Sequence, residues 1–369
     1  ELKKMFLSNF DKEFDLDNKP IWEGKQTELK SDIIAETENG ILEEPILNNI
    51  FSFFSSEDAH GTMFLLFNPI NQMLELAETD DDELEDKKFV ISSLTAFTNP
   101  FKDTTIDIST GFNIYKGNES YDLLTSQGLF FDKKDFKLAD VYIKGEFDGN
   151  GSFNGKIRIY DQEIDYSYTN PRKKDKKAFY GKIPIELGYS QGEEKSSNLT
   201  EIQYAQISKK VKDYGALYVF RDDFRVLPYG RENADFLKFE FRRSKRAGTY
   251  YFSYRRMYGY VDITRDRNPN LKDKSSREGL INNTQYRAFE SDASNFFVAL
   301  ALDYFQTNPK FLLFKNKKDE INAQNESLQA DKTREKAEKI AFTKSLNSYP
   351  QRLDEHQSKY ESLLNTLDE

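Results

Sequence analysis

The chain has 369 residues, with 53 Lys or Arg against 63 Asp or Glu, and the resulting net charge of −10 argues against a protein that coats nucleic acid with its whole surface. It contains no cysteine and two histidines, His60 and His356, so disulfides, thiolate nucleophiles, iron–sulfur clusters, Cys-type zinc sites and His-based triads have no residues to work with. The 31 Phe and 21 Tyr supply enough apolar surface for two or three domains. No stretch approaches the roughly 18 uncharged apolar residues of a membrane span, and a soluble, cytoplasmic protein without a membrane partner is the expectation.

Residues 1–60 mix short apolar runs with acidic and Gly/Asn breaks and carry no sustained period. His60-Gly61-Thr62, followed by Met63-Phe64-Leu65-Leu66-Phe67, reads as a turn feeding a buried strand that Asn68-Pro69 stops. The acidic stretch 75–86, centred on Asp80-Asp81-Asp82, repels itself and reads as a solvated loop or helix end in preference to a cation chelate. Val90, Ile91, Leu94 and Phe97 recur at helical spacing up to Asn99-Pro100. Segments 106–115 and 141–147 alternate as strands, and Asp148-Gly149-Asn150-Gly151 signals a tight hairpin into the alternating segment 153–160. The architecture here is antiparallel β.

A basic loop at 171–177, a strand at 182–187 and a polar, poorly ordered linker at 191–199 are expected next. Two short strands, 216–220 and 224–227, flank Arg221-Asp222-Asp223, and 258–264 is a further strand. The charged loop 271–277 then precedes a long helix over 283–305, with Tyr286, Phe289, Phe296, Phe297 and Leu300 on one stripe. After Pro309 the chain is helical and polar, and Pro350 is expected to break it into a helical hairpin or coiled-coil arm. Ile321, Leu328, Ile340 and Leu346 are too sparse for a long heptad, so a helical linker is an equal reading of 315–369.

Charge reverses locally. Residues 221–277 carry fifteen Lys/Arg against eight Asp/Glu, an excess of +7 interleaved with Tyr250, Tyr251, Tyr254, Tyr258 and Tyr260. Cations neutralise phosphates and aromatics stack, so Arg242, Arg243, Lys245, Arg246, Arg255 and Arg256 are candidates for a partner or nucleic-acid surface. A solvated face of a β-rich domain is the plain alternative. Lys272, Lys274 and Arg277 sit in a loop before a helix N-terminus, where an anion is favoured. No phosphate loop with Gly-Lys-Ser/Thr and no Gly-x-Gly-x-x-Gly is present.

Two motif blocks carry a resemblance. Tyr214-Gly215-Ala216-Leu217-Tyr218-Val219-Phe220-Arg221-Asp222-Asp223-Phe224-Arg225-Val226-Leu227-Pro228-Tyr229-Gly230, with Asn268-Pro269-Asn270-Leu271-Lys272-Asp273-Lys274 and Arg277-Glu278-Gly279-Leu280, resembles the second half of bacterial GHKL ATPases, the superfamily of gyrase B, MutL, the heat-shock chaperone, histidine kinases and MORC proteins. Gly61-Thr62 resembles the last nucleotide motif of that superfamily. The resemblance implies an α+β chain. Residues 1–105 would be the end of a GHKL (Bergerat-type) α/β sandwich, 106–305 a β-rich transducer domain with an inserted β segment at 116–205, and 306–369 the helical arm.

The same resemblance implies ATP and Mg2+ as ligands, Gly61 and Thr62 near the adenine end, and Lys272, Lys274 or Arg277 as the cation that reaches the γ-phosphate, with Lys274 and Arg277 favoured. It further implies a homodimer that closes on ATP and relays its state to a DNA or protein partner, by analogy in prokaryotic defence or DNA handling. The family's catalytic Glu, magnesium-binding Asn and glycine-rich lid have no counterpart in residues 1–60, where Glu38-Asn39-Gly40 and Glu57-Asp58-Ala59 lack the spacing. The start at Glu1 in place of Met fits the latter part of a longer protein. The alternatives are a non-catalytic binding or assembly module using 221–277 and the C-terminal helices, and, more remotely, a carbohydrate-processing β protein, for which no acid/base pair is identifiable.

Overall fold

The computed structural model describes residues 62, 64, 66, 85–103, 106, 108–116, 119–126, 130–170, 178–246, 248–274 and 278–367. Residues 1–60, Gly61, the acidic run Asp80-Asp81-Asp82, the basic loop 171–177 and Arg277 lie outside them. The described chain falls into two compact units, Glu1–Phe97 with Asp107–Leu129, and Thr98–Ile106 with Phe130–Glu369.

In the first unit, helix α1 (Glu85–Thr95) realises the periodicity of Val90, Ile91 and Leu94, with Ile91 buried. Thr110 Oγ1 donates to the Leu94 carbonyl at 2.9 Å. Of the strand expected over 106–115 only the end forms: β1 (Asn113–Lys116) pairs antiparallel with β2 (Glu119–Asp122), and a helical turn Leu123–Ser126 follows. The buried strand expected at 61–67 is not seen at its described positions. Thr62, Phe64 and Leu66 are exposed and outside regular structure, Phe64 being 82 % exposed, because an apolar run gives a strand only where a sheet receives it.

The second unit is built on a seven-stranded sheet. Its strands are β3 (Val141–Phe147), β4 (Ser152–Ile159), β5 (Gln162–Thr169), β6 (Ile183–Tyr189), β7 (Ala216–Arg221), β8 (Phe224–Arg225) and β9 (Met257–Ile263), in the order β5-β4-β3-β6-β9-β7-β8. Every pairing is antiparallel except β7 with β9. The hairpin expected at Asp148-Gly149-Asn150-Gly151 joins β3 to β4, with Phe147 opposite Phe153. Strand β9 is buried at all seven positions, as a central strand covered on both faces must be.

One face holds a layer of aromatic rings. Tyr218 pairs in register with Tyr260, and Phe101 stacks on Tyr260 at 5.8 Å while its own main chain lies in the Thr98–Ile106 segment. Phe131 lies flat on Tyr258 at 4.7 Å, and Tyr258 fits only because Gly188 faces it: a Cβ there would fall 2.5 Å from the ring. The other face receives helix α4, introduced below, through Phe296 on Phe153 at 4.2 Å.

Helix α2 (Glu201–Tyr214) starts in a capping box in which Thr200 and Gln203 satisfy each other's backbone amides. Short helix α3 (Phe239–Lys245) precedes β9, and α4 (Thr284–Leu300) runs into a π-helical turn, Ala301–Phe305. Helix α5 (Leu313–Leu367) is one 55-residue element. The expected break at Pro350 does not occur, so the hairpin form of the arm is excluded: a proline removes one backbone hydrogen bond and bends a helix without having to end it.

The linker 191–199 is also more ordered than its composition predicts. Asp140, fully buried, accepts hydrogen bonds from Gln191 N at 2.8 Å, Ser197 Oγ at 2.7 Å and Asn198 N at 3.4 Å. One buried carboxylate at the start of the neighbouring strand β3 thus takes up donors that local composition would leave to water. Among the described residues no helix is long and apolar enough to cross a membrane.

Candidate functional site

Strands β7 and β9 run parallel and end side by side, with Arg221 opposite Ile263. The chain leaves β7 through Asp222 and Asp223, both left-handed (φ 50° and 67°), a conformation that short polar side chains tolerate. It leaves β9 through the loop 264–283. Crevices beyond the carboxyl ends of parallel strands are common ligand positions.

Charges converge at this end. Lys102 Nζ lies 3.1 Å from Asp262 Oδ2 and also contacts Asp223, and Arg267 Nη2 lies 3.3 Å from the same Asp262 oxygen. Burial opposes the Lys102 ammonium, yet its bonds to Asp223 and Asp262 outweigh that cost and hold its pKa above the ordinary lysine value. Arg221, 9 % exposed, donates Nη2 to the Leu271 carbonyl at 2.5 Å and places Nε 3.2 Å from Asp273 Oδ1.

The Asn-Pro-Asn motif builds the loop. Asn268 is fully buried; its Oδ1 accepts from Thr264 N at 3.0 Å, while Nδ2 donates to the carbonyls of Tyr180 at 2.9 Å and Lys182 at 3.0 Å. Asn283 closes the other end, donating to the Asn270 carbonyl at 2.7 Å and accepting from Tyr286 N at 2.9 Å as the cap of α4. The helix N-terminus is therefore partly satisfied from within the protein.

Between these anchors, 272–274 pair with 279–281 as the two stems of a narrow hairpin. Ile281 N donates to the Lys272 carbonyl at 2.7 Å and Lys274 N to that of Gly279 at 2.9 Å, around a bridge between Asp273 and Leu280. Leu271 and Leu280 are buried, whereas Lys272, Asp273 and Lys274 face solvent. Of the three cations expected to meet a phosphate, Lys272 and Lys274 thus lie on the same, exposed stem, two residues apart and paired with 279–281.

The two motif blocks meet here. Tyr229 OH accepts from Leu280 N at 3.2 Å and donates to Tyr286 OH at 3.4 Å. Gly230 takes φ 92°, and a Cβ on it would fall 2.2 Å from the Tyr218 ring, so the turn after Tyr229 requires glycine. Pro228, Tyr229, Asp235, Phe236, Lys274 and Glu278 line an open pocket of about 230 Å³. Burial raises the Asp235 carboxyl above its ordinary value, against the bond its Oδ2 accepts from Glu240 N at 2.9 Å.

Several of the six cations expected on a partner surface already have partners within the chain. Arg243 is bonded to the Tyr251 carbonyl, Arg255 Nε lies 3.1 Å from Glu232, and Arg256 packs over Gly192, where a Cβ would fall 2.1 Å from its guanidinium carbon. Arg242, Arg243 and Lys245 occupy the last turn of α3, where cations complement the helix dipole, and Arg246 caps it. Lys245 Nζ sits 4.1 Å over the Phe241 ring, which is 57 % exposed.

Thr62 belongs to the first unit and the hairpin to the second. Among the described residues no three His, Asp or Glu side chains gather as a metal site, so no magnesium ligand set is assigned. Sequence reasoning did not find Lys102, Asp223, Asp262 and Arg267 as a cluster, since 160 residues separate Lys102 from Asp262; the available signal was the unusual acid pair Asp222-Asp223 directly after a strand. No family model matches the chain, and neither does any curated protein or solved structure, so what the site does has to be read from its own atoms.

Proposed function

We propose that the chain is the relay part of an ATP-dependent conformational switch of the GHKL type, and that the hairpin 272–281 is its phosphate sensor. One observation carries this reading: Lys272 and Lys274 are presented to solvent on a hairpin anchored at both stems, through Arg221 and Asn283 on one side and Tyr229 on the other. A cation held on such a loop can neutralise charge developing on a terminal phosphate, and loses its partner when that phosphate leaves. The same contact then moves the start of α4, which is bonded to the hairpin through Tyr229 and Tyr286.

In this reading a homodimer closes on ATP, with magnesium as the accompanying ion and its ligands not present in this chain. No catalytic step is assigned to the ion. Binding of a fluorescent ATP analogue to the full chain, with Lys274→Ala and Arg277→Ala compared, tests the proposal. Binding weakened about tenfold by either change supports it; a wild-type chain that takes up no adenine nucleotide, or variants that bind unchanged, overturns it.

A second reading is a docking module for DNA or a protein partner, favoured by the exposed end of α3, where Phe241, Lys245 and Arg246 lie together. It predicts nucleotide-independent DNA binding that weakens steeply with salt. DNA ignored at low ionic strength removes the nucleic-acid form of it.

A further inference from the structure

Helix α5 divides into a docked and an undocked part. Phe314 and Ile321 are buried, Asn322 Oδ1 accepts from Ser196 Oγ at 3.0 Å, and Lys332 Nζ pairs with Glu201 at 2.9 Å. Beyond Lys332, every described side chain except Ser348 is exposed. At 1.5 Å per residue this undocked part is roughly 50 Å long.

It carries an apolar seam that composition alone hides. Phe342, Tyr349, His356 and Leu363 recur every seventh residue, and Leu346, Leu353 and Tyr360 fall four residues after the first three. This is the 3,4 alternation of coiled-coil core positions over three heptads. The large apolar members are all half or more exposed, from 50 % for Leu353 to 67 % for Phe342 and Tyr360. One heptad upstream the same positions hold Glu335 and Lys339, so the seam has a defined start. A lone solvated helix with Pro350 inside it cannot sustain itself on backbone bonds, since propensity is weak and the proline costs about 3 kcal/mol in a helix interior.

The flanking residues indicate the occupant. Arg352 and Lys359 border the seam on one side, Gln357 and Leu364 on the other, while Asp354 and Glu361 point to neither flank. An antiparallel copy would set Arg352 against Lys359, like charge on like charge. A parallel copy sets them against Gln357 and Leu364, with no repulsion. His356 would then face its own equivalent, and a neutral imidazole has one donor and one acceptor, so two of them satisfy each other. We propose that residues 342–363 form a parallel, in-register, two-stranded coiled coil with a second copy of this chain, present without nucleotide and independent of the switch proposed above.

Sedimentation of the full chain from low micromolar to hundreds of micromolar, with no nucleotide added, tests this. The expected result is a doubling of mass in the wild type, loss of the dimer in Leu346→Glu/Leu353→Glu, and retention in Lys344→Glu, which lies opposite the seam. The chain has no cysteine of its own, so Leu363→Cys alone reports orientation: mild oxidation should give a covalent dimer. A wild type monomeric throughout, or a dimer surviving the double Glu change, overturns the proposal. Cross-linking only when Phe342→Cys and Leu363→Cys are combined overturns the parallel arrangement. Unchanged circular dichroism at wavelengths reporting the β sheet shows that each variant still folds.

Discussion

Lys102 and Asp262, 160 residues apart in sequence, meet with Nζ 3.1 Å from Oδ2 at the carboxyl end of β9, and Asp223 completes the contact from the end of β7. The short Thr98–Ile106 segment is thereby fastened to both parallel strands, with Phe101 buried beneath it and Asn99 N donating to the Asp223 carbonyl at 3.0 Å.

Lys102→Ala leaves two partly buried carboxylates facing each other across the vacated position. The expected cost is about 1–3 kcal/mol of stability, larger than for an exposed pair because the lysine side chain is 27 % and that of Asp262 13 % exposed. Asp262→Asn in the same background should recover part of the loss by removing the repulsion. Urea unfolding of the two variants measures both effects, and a Lys102→Ala protein as stable as wild type would refute the role given to the pair.

Asp140 makes stability depend on pH. Burial raises its pKa from 3.8 to about 6, against the bonds it accepts from Gln191, Ser197 and Asn198. The folded state therefore holds a proton that the unfolded chain releases. Its contribution to stability is greatest below about pH 4, falls as pH rises through the window from about 4 to 6, and is level above it. The slope in that window is at most about 1.4 kcal/mol per pH unit. Asp140→Ala should remove this component, seen as a flatter pH dependence of the unfolding midpoint, while amide exchange in 191–199 becomes faster.

Tyr229→Phe removes the hydroxyl that joins the hairpin 272–281 to α4. The cost should be about 1 kcal/mol or a little more, because the Leu280 amide is left buried without its acceptor. Hydrogen exchange at Lys274 and Ile281 should quicken with the β9 amides unaffected. Equal protection in both proteins would show that the hairpin is held by other contacts.

Phe296 is fully buried between Phe153 at 4.2 Å, Phe297 at 5.0 Å and Phe147 at 5.5 Å. Phe296→Ala should cost about 3–5 kcal/mol, since three rings cannot close over the cavity together. Phe241→Ala, at an exposed ring, should change stability by less than about 0.5 kcal/mol. Thermal unfolding separates the two.

Local signals reached those elements whose cause is local. The Asp148-Gly149-Asn150-Gly151 turn, the stripe Phe289, Phe296 and Phe297, and the turn at Asp222-Asp223 are visible because backbone conformation and periodicity are written within a few residues. Strand β5 and helix α2 went unrecognised, although Ile164, Tyr166 and Tyr168 alternate and Thr200 with Gln203 spells a capping box. The order of 191–199 could not be seen locally, because the residue that imposes it, Asp140, stands 51 residues before Gln191 at the start of the neighbouring strand. For the site, the motif blocks located Lys272 and Lys274 and the glycine at 230. They did not show that Arg221 serves the loop from within or that Arg256 is occupied with Gly192, because partners distant in sequence decide both.

The π-helical turn Ala301–Phe305, closed by Gln306 N on the Ala301 carbonyl at 2.9 Å, holds one residue more than an α-helical turn would. Ala301 and Phe305 are buried at its two ends, and the Phe305 ring lies 4.7 Å from Tyr251 and 4.8 Å from Phe314 at the start of α5. The long helix thus takes its seat from an aromatic side chain that the wide turn delivers, and the first thing to loosen it would be a change outside the helix itself.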